Sequence, residues 1–357
     1  MTPLRVLTFG AGAIGTYIGG SLALAGHRVV FVEQPQAVEE LRRRGLRLDL
    51  SAARRAAAGQ PPAVYSPSSA AFFPTLAEAL EHGPFDIAIY ALKSFDTAAF
   101  LASLGGLGAA LPPLLCLSNG VDNEADLAAV LGPERVIAGT VTSSVGRRAV
   151  GDIVLERLRG VGVARPAPGC EIQAESLVAA LHKAGLNARL FPSAAEMKWS
   201  KMLTNLPANA TAAILSLTPA EVFAHPGLFR LEMAMLGEAL AVMRALGMRV
   251  IDLPGVPVRA LALGTRLPEA IARPLMRKAV GGGRGGKMPS FHIDLHSGRG
   301  RSEVEWLNGA VVRYGEQAGV QTPVNRLLTE TLLALTRGEQ PLETYARQPQ
   351  KLLALAG

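Results

Sequence analysis

One amine side chain and two carboxamide side chains are spaced four residues apart in the second half of the chain. Side chains with this spacing could form a binding site for a polar ligand. Lys201, Asn205 and Asn209 stand at i, i+4 and i+8, so on one helix they fall within about 80° of arc and share a face. Two asparagines are costly in an apolar helix unless they find hydrogen-bonding partners. A bound polar ligand would supply those partners; the alternative is a helix face in contact with water. Pro207 should kink the helix or remove a hydrogen bond, which bears on the direction of Asn209.

A glycine-rich turn near the N-terminus has the spacing of a dinucleotide-binding site. It is a G-x-G-x-x-G with the sequence Gly10-Ala11-Gly12-Ala13-Ile14-Gly15, and it follows an apolar run and precedes a second one at residues 28–32. The first glycine permits the tight turn, the second lets the backbone approach a pyrophosphate, and the third lets helix and strand pack closely. Because strand, turn, helix and strand follow in order, the pattern predicts dinucleotide binding. The alternative is a glycine-rich turn without a ligand.

An acid and a basic cluster follow the second predicted strand and bear on which dinucleotide is bound. Glu33 ends this strand 23 residues after Gly10, where a carboxylate accepts hydrogen bonds from the adenosine ribose and repels a 2′-phosphate. Glu33 alone therefore favours NAD. Arg42, Arg43 and Arg44 could favour NADP, but they resemble the solvated face of the next helix.

Further apolar runs predict a parallel, doubly wound α/β sheet over residues 1–192. Strands are expected at residues 85–92, at 114–117 and from residue 136. Lys93 and Asn119 follow two of them, and because ligands bind at the carboxyl ends of such strands, both are candidate contacts for cofactor or substrate. The alternative for each is an ordinary turn residue.

The pattern changes after residue 192, where helical stretches dominate and no clear strand recurs. We expect a second, all-helical domain over residues 193–357, and its apolar character suggests a homodimer. The segment 254–289 is rich in proline and glycine, which predicts a loop region.

Composition narrows the class of protein. The 357 residues carry a net charge of +7 and are 49% hydrophobic, which excludes a disordered chain. The two cysteines suit a reducing cytoplasm and leave no disulfide framework or zinc module. Only 5% of the residues are aromatic, which argues against binding of single-stranded nucleic acid by stacking.

The uncharged stretch 6–26 has six glycines and fits a strand, turn and helix better than a membrane span or signal peptide.

The motifs resemble, in one order and over nearly the whole chain, the ketopantoate reductase (2-dehydropantoate 2-reductase) family. The matching residues are Gly10 to Gly15, Ala91-Leu-Lys93, Ser118-Asn-Gly120, Trp199-Ser-Lys201 with Asn205 and Asn209, Pro289-Ser290, Ser302-Glu303-Val304 with Asn308-Gly309, and the run 319–325. The resemblance implies an N-terminal Rossmann domain, a helical C-terminal domain and a site in the cleft between them. It also implies reduction of a 2-keto acid by NADP(H), with ketopantoate the default substrate, in pantothenate biosynthesis.

The resemblance also assigns roles to individual residues. Lys201 matches the general acid, and Glu303 matches the glutamate that hydrogen-bonds the substrate or positions the lysine. Asn205, Asn209 and Ser290 match residues that bind the substrate's hydroxyl and carboxylate; Lys93 and Asn119 match residues on the cofactor side. Lys198 is a rival acid, but it lies 300° around the helix from Lys201 and lacks the i, i+4 relation to Asn205.

Three departures from the family pattern keep alternatives open. Glu33 stands where the family usually has an arginine for the 2′-phosphate, so NAD(H) remains an alternative cofactor. The spacing from Ser290 to Glu303 is one residue longer than is usual in the family, and the segment 254–289 is expanded.

The alternatives to a ketopantoate reductase are a reductase of another bulky 2-keto acid and a non-catalytic dinucleotide-binding regulator. We expect a small-molecule substrate and neither nucleic acid, membrane nor metal as a partner.

Overall fold

The computed structural model describes residues 2–51, 64–66, 68–170, 172–277 and 288–356. The chain forms two compact units. The first comprises Met1–Ser118, Asn123–Lys198 and Leu253–Val256, and the second comprises Asn119–Asp122, Trp199–Asp252 and Pro257–Gly357. The boundary predicted after residue 192 lies a few residues before the division at Lys198.

The first unit is built on a mostly parallel sheet. Its described strands are β1 (Arg5–Phe9), β2 (Arg28–Val32), β3 (Arg47–Asp49), β4 (Val64–Tyr65), β5 (Ala70–Phe73), β6 (Ile87–Tyr90), β7 (Leu114–Cys116), β8 (Val136–Val141), β9 (Ser144–Ala149), β10 (Asp152–Arg157), β11 (Val161–Ala164) and β12 (Ala188–Phe191). Eight of them form the order β12-β11-β8-β7-β6-β1-β2-β5, in which only β11 and β8 are antiparallel. A smaller sheet has the order β4-β3-β10-β9, and its strands are not among those predicted from the sequence.

Helices cover the larger sheet because its central strands are apolar on both faces. In β1, Val6 packs into one hydrophobic cluster, whereas Leu7 and Phe9 pack into another, as expected for a strand buried on both sides. The helices of this unit are α1 (Ala13–Leu24), α2 (Pro35–Arg44), α3 (Leu76–Leu80), α4 (Thr97–Leu104), α5 (Asn123–Leu131) and α6 (Ala174–Lys183). The predicted Rossmann-type, doubly wound fold is confirmed.

The described residues of the second unit are helical, as predicted. Its helices are α7 (Ala194–Asn205, which begins in the first unit), α8 (Ala210–Leu215), α9 (Pro219–Ala224), α10 (Pro226–Ala245), α11 (Val258–Gly264), α12 (Glu269–Met276), α13 (Ser290–Leu295), α14 (Asn308–Gln317), α15 (Pro323–Thr336) and α16 (Pro349–Leu355). None of the described helices combines the length and hydrophobicity that a membrane crossing requires.

The prediction of a loop over 254–289 is wrong for α11 and α12. Both helices begin directly after a proline, Pro257 and Pro268, which occupy the N-cap positions. A proline at the start of a helix removes no hydrogen bond, so these two residues begin helices instead of preventing them. The glycine run at 281–286 lies outside the described residues.

Candidate active site

The glycine turn between β1 and α1 has the geometry that its three glycines predict. Gly10 has a φ of +92°, a conformation that favours glycine. A Cβ on Gly15 would lie 1.9 Å from the carbonyl oxygen of Gly10, so helix and turn pack too closely for any side chain. A Cβ on Gly12 would meet nothing within 4 Å. The space in front of Gly12 is therefore open to a ligand.

The N-terminus of α1 is suited to an anion. Gly12 is its N-cap and provides no side-chain hydrogen bond, and the first turn contains no acidic residue. Free N–H groups and the positive end of the helix dipole attract phosphate at such a position. The turn therefore fits the pyrophosphate of a dinucleotide.

Glu33 lies directly after β2 and is bonded to the glycine turn. Its Oε2 accepts a hydrogen bond from the Ala11 N–H at 2.7 Å, and its Oε1 accepts one from the Gln34 N–H at 2.9 Å. The carboxylate is thus held beside the turn, where a ribose-binding acid is expected.

The three arginines of α2 differ in their surroundings. Arg44 is not solvated as predicted: it donates to the Val150 carbonyl and forms ion pairs with Glu40 and Asp152. Arg42 is exposed as expected, although its Nε donates to the Phe72 carbonyl at 3.0 Å. Arg43 is exposed.

Lys93 and Asn119 follow strands β6 and β7, as predicted, but belong to different units. Lys93 is half-buried and precedes a 3-10 turn at Ser94–Asp96 in the first unit. Asn119 belongs to the second unit, where its Oδ1 accepts a hydrogen bond from Asn205 Nδ2 at 3.0 Å. Asn119 therefore lies beside a residue predicted to bind substrate.

Lys201 and Asn205 form the centre of the candidate site in the second unit. Both lie on α7, one turn apart, and Lys201 Nζ donates to Asn205 Oδ1 at 3.0 Å. With Asn119 accepting from Asn205, an ammonium and two carboxamides form one hydrogen-bonded series.

Asn209 does not share the helix of Lys201 and Asn205, so the prediction of one helix face is wrong for this residue. Helix α7 ends at Asn205, because Pro207 cannot continue the hydrogen-bond ladder, and α8 begins only at Ala210. The Asn209 side chain nevertheless contacts other residues of the candidate site. Its Nδ2 donates to the Asn205 carbonyl at 3.1 Å and to Ser290 Oγ at 3.3 Å, and its Oδ1 accepts from the Phe291 N–H at 3.1 Å.

Glu303 begins a 3-10 turn at Glu303–Trp306 in the same unit as Lys201. The residue is 2% exposed. A carboxylate is almost never buried to this extent unless it is paired. Of the predicted substrate-site residues, the structure thus joins Lys201, Asn205, Asn209 and Ser290 in hydrogen bonds and places Glu303 in the interior of the same unit.

Lys198 has a different environment from Lys201. It is buried in the first unit, where Nζ lies 2.7 Å from Glu124 Oε1 and donates to the carbonyl oxygens of Ser118 at 2.6 Å and Gly139 at 3.4 Å. Burial is the largest single influence on the pKa of Lys198 and lowers it, but the attraction of Glu124 and Cys116 and the hydrogen bond to Glu124 together raise the pKa above its usual value. An ammonium bound in this way is a poor proton donor, which supports the choice of Lys201.

Glu232, which was not predicted from the sequence, binds the backbone of the segment between α7 and α8. Its Oε2 accepts the Ala208 N–H at 2.7 Å. The sequence does contain a sign that Glu232 is buried: it stands four residues from both Leu228 and Leu236, so it lies on the apolar face of α10.

Among the described residues, no group of three or more His, Cys, Asp and Glu side chains is placed to hold a metal ion.

Comparison with known families assigns both halves of the chain. Residues 6–164 match the family described as "Ketopantoate reductase PanE/ApbA", and residues 194–336 match "Ketopantoate reductase PanE/ApbA C terminal". Two proteins named 2-dehydropantoate 2-reductase, from Archaeoglobus fulgidus and Halobacterium salinarum, are each 29% identical to this chain. The matches span 94% and 92% of this chain and 97% of each relative.

Solved structures show the same fold. A PanE/ApbA family ketopantoate reductase from Ralstonia eutropha JMP134 has a TM-score of 0.74 and 25% identity, over 94% of this chain and 100% of that one. A D-mandelate dehydrogenase solved with NADH and anilino(oxo)acetate has a TM-score of 0.74 and 20% identity, over 94% and 99% of the two chains.

Proposed function

We propose that this chain, which belongs to the ketopantoate reductase family, reduces a 2-keto acid to the corresponding 2-hydroxy acid with a nicotinamide cofactor. The observation that carries the proposal is the hydrogen-bonded series of Lys201, Asn205 and Asn119. It brings a proton donor and two carboxamides together in a chain that also has a dinucleotide-binding turn. Ketopantoate is the default substrate. In this proposal residues 1–192 bind the cofactor and residues 193–357 bind the keto acid, in the cytoplasm.

Lys201 is the proposed general acid. Its Nζ gives a proton to the keto oxygen while the keto carbon receives a hydride, so that the carbonyl becomes a hydroxyl and the amine is left neutral. Before the proton moves, the ammonium stabilises the negative charge that develops on this oxygen. Asn205 Oδ1 accepts from one N–H of the ammonium and so directs the other two.

The remaining polar residues of the second unit are proposed to bind the substrate. Ser290 Oγ, which accepts from Asn209 Nδ2, keeps its own O–H for a substrate oxygen. Asn205, Asn209 and Ser290 would bind the hydroxyl and carboxylate. Glu303 would hydrogen-bond the substrate or position Lys201.

The turn from Gly10 to Gly15 would hold the cofactor's pyrophosphate, and Lys93 and Asn119 would contact its nicotinamide end. When bound, the nicotinamide supplies the hydride. NADH is the proposed preference over NADPH for two reasons. Glu33 is held beside the turn, where a carboxylate binds the ribose hydroxyls and repels a 2′-phosphate. Arg44, a candidate ligand for that phosphate, is already paired with Glu40 and Asp152.

A second candidate is the reduction of a bulkier 2-keto acid. The fold is shared with a D-mandelate dehydrogenase solved with anilino(oxo)acetate, a compound with an aromatic substituent. The expanded segment 254–289 of this chain agrees with a different substrate side chain.

The decisive experiment is a panel of 2-keto acids assayed with NADH and with NADPH. Ketopantoate, a branched aliphatic keto acid and phenylglyoxylate would distinguish the two candidates by kcat/KM. Oxidation of neither cofactor with any keto acid would contradict the enzymatic function and favour a dinucleotide-binding regulator.

A further inference from the structure

Glu232 is a buried carboxylate for which the reaction has no direct use. It lies on α10 and is 0% exposed, on the same helix face as the buried Leu228 and Leu236. Removing a carboxylate from water costs several kcal/mol unless hydrogen bonds compensate for it. Its position in the interior therefore calls for an explanation in terms of the groups that it binds.

One of those groups is a backbone N–H in an unusual conformation. Ala208 has a φ of +51°, in the left-handed region that residues with a Cβ rarely adopt. Its N–H donates to Glu232 Oε2 at 2.7 Å, a charge-assisted hydrogen bond of the stronger kind. The carboxylate thus stabilises a backbone conformation that alanine alone disfavours.

The left-handed residue determines where the next residue points. Asn209 follows Ala208, and its carboxamide joins three separate points: the Asn205 carbonyl at the end of α7, Ser290 Oγ and the Phe291 N–H at the start of α13. If Ala208 relaxed into a right-handed conformation, the direction of Asn209 would change and these bonds could not all persist.

We propose that Glu232 is a positioning residue for the keto-acid site: it fixes Ala208 in the left-handed conformation and thereby aligns Asn209 with Asn205 and Ser290. This inference rests on the proposed function, since Asn205, Asn209 and Ser290 are the residues proposed to bind the substrate. It adds a residue of α10 that acts through the backbone without touching the substrate.

The test compares Glu232→Met and Glu232→Gln with the wild type. Met keeps the volume but removes the acceptor, and replacing a buried charge with an apolar side chain is often tolerated by the fold. Gln keeps an acceptor oxygen without the charge. We expect KM for the keto acid to rise about tenfold in Glu232→Met, equivalent to about 1.4 kcal/mol, and less in Glu232→Gln. The affinity for NADH should be unchanged, and kcat should change much less than KM.

Rescue distinguishes positioning from general stability. Glycine adopts positive φ without steric cost, so Ala208→Gly in the Glu232→Met background should restore much of the lost KM. The matched control is Glu238→Gln, on the same helix, whose carboxylate accepts from the Val324 and Asn325 N–H groups at the start of α15. This control should lower Tm and leave KM for the keto acid unchanged. A fall in Tm without a change in KM in Glu232→Met would overturn the proposal.

A measurement without turnover keeps this inference separate from the proposed function. The side-chain amide signals of Asn209 in a ¹H–¹⁵N spectrum, identified by their loss in Asn209→Ala, should shift in Glu232→Met and stay in place in Glu238→Gln. Unshifted Asn209 signals in Glu232→Met would contradict the positioning role even if the wild type reduced no keto acid. Wild-type inactivity on the keto-acid panel would contradict only the proposed function.

Discussion

Lys201 Nζ donates a hydrogen bond to Asn205 Oδ1 at 3.0 Å, one helical turn further along α7. Asn205 is itself oriented, because its Nδ2 donates to Asn119 Oδ1. The amide oxygen of Asn205 therefore faces the ammonium, which holds the long lysine side chain in one direction. An orientation fixed before the substrate binds lowers the cost of reaching the transition state.

Replacing Lys201 with alanine should lower kcat at least about 100-fold, the lower end of the contribution from a general acid. Steady-state assays with the best keto acid of the panel would measure the effect. Lys351→Ala is a suitable control because Lys351 is exposed and its Nζ donates to the nearby Thr344 carbonyl. Normal turnover by Lys201→Ala would exclude the lysine as the acid.

Replacing Glu33 with alanine should weaken NADH binding about tenfold (about 1.4 kcal/mol) and improve NADPH binding. The variant would lose the proposed acceptor for the ribose hydroxyls and the charge proposed to repel a 2′-phosphate. Fluorescence titration with each cofactor gives the two affinities. Glu39→Ala, which removes an exposed carboxylate from α2, should change neither affinity. A strong preference for NADPH in both the wild type and Glu33→Ala would contradict the ribose contact.

Alanine at Gly12 and at Gly15 should have different effects. The Gly15→Ala methyl would lie 1.9 Å from the Gly10 carbonyl oxygen, so we expect a lower Tm or a loss of folded protein. Gly12 has a φ of −71° and open space around its Cβ position, so Gly12→Ala should keep the wild-type Tm. Its methyl would occupy the space proposed for the pyrophosphate, and we expect cofactor affinity to fall about tenfold or more (about 1.4 kcal/mol). Equal Tm losses in both variants would contradict this distinction.

Lys198→Met should destabilise the protein by about 3–5 kcal/mol, because it leaves the Glu124 carboxylate without its partner in a largely buried position. The pKa of Lys198 is raised in the fold, so the ion pair contributes fully below about pH 10.5 and its contribution is lost as the pH rises further. Urea unfolding followed by circular dichroism at pH 8 and at pH 11 should therefore show a smaller difference between wild type and variant at the higher pH. Lys183→Met, at an exposed position, should change stability by less than about 0.5 kcal/mol.

The features that the sequence predicts well are local in the chain. The glycine turn, the strands on either side of α1 and the acid after β2 all lie within the first 33 residues, and the structure has them as expected. Family membership also follows from short motifs in order, and the family comparisons confirm it. Such local features can be predicted because a few consecutive residues are enough to show the periodicity of buried positions that is typical of a helix or a strand.

The features that the sequence does not reveal depend on partners that are distant in the chain. Glu232 and Ala208 are 24 residues apart, and the pattern of either region contains no sign of the other. Lys198 appears in the sequence as a rival to Lys201 for the general acid, but its side chain is 5% exposed and is bound by Glu124 and two carbonyl groups. The small sheet escapes prediction because its strands β3 and β4 are only three and two residues long.

Neither compact unit corresponds to one continuous segment of the gene. The chain changes unit after Ser118, Asp122, Lys198, Asp252 and Val256, so each unit includes a tetrapeptide encoded within the other's stretch. A gene fragment ending at codon 198 would lack Leu253–Val256, whose Pro254 carbonyl accepts from Thr142 Oγ1 at 2.7 Å. The complementary fragment would lack Asn119, the acceptor for Asn205. Split-protein complementation or domain exchange within the family would therefore have to transplant both tetrapeptides along with the halves that they complete.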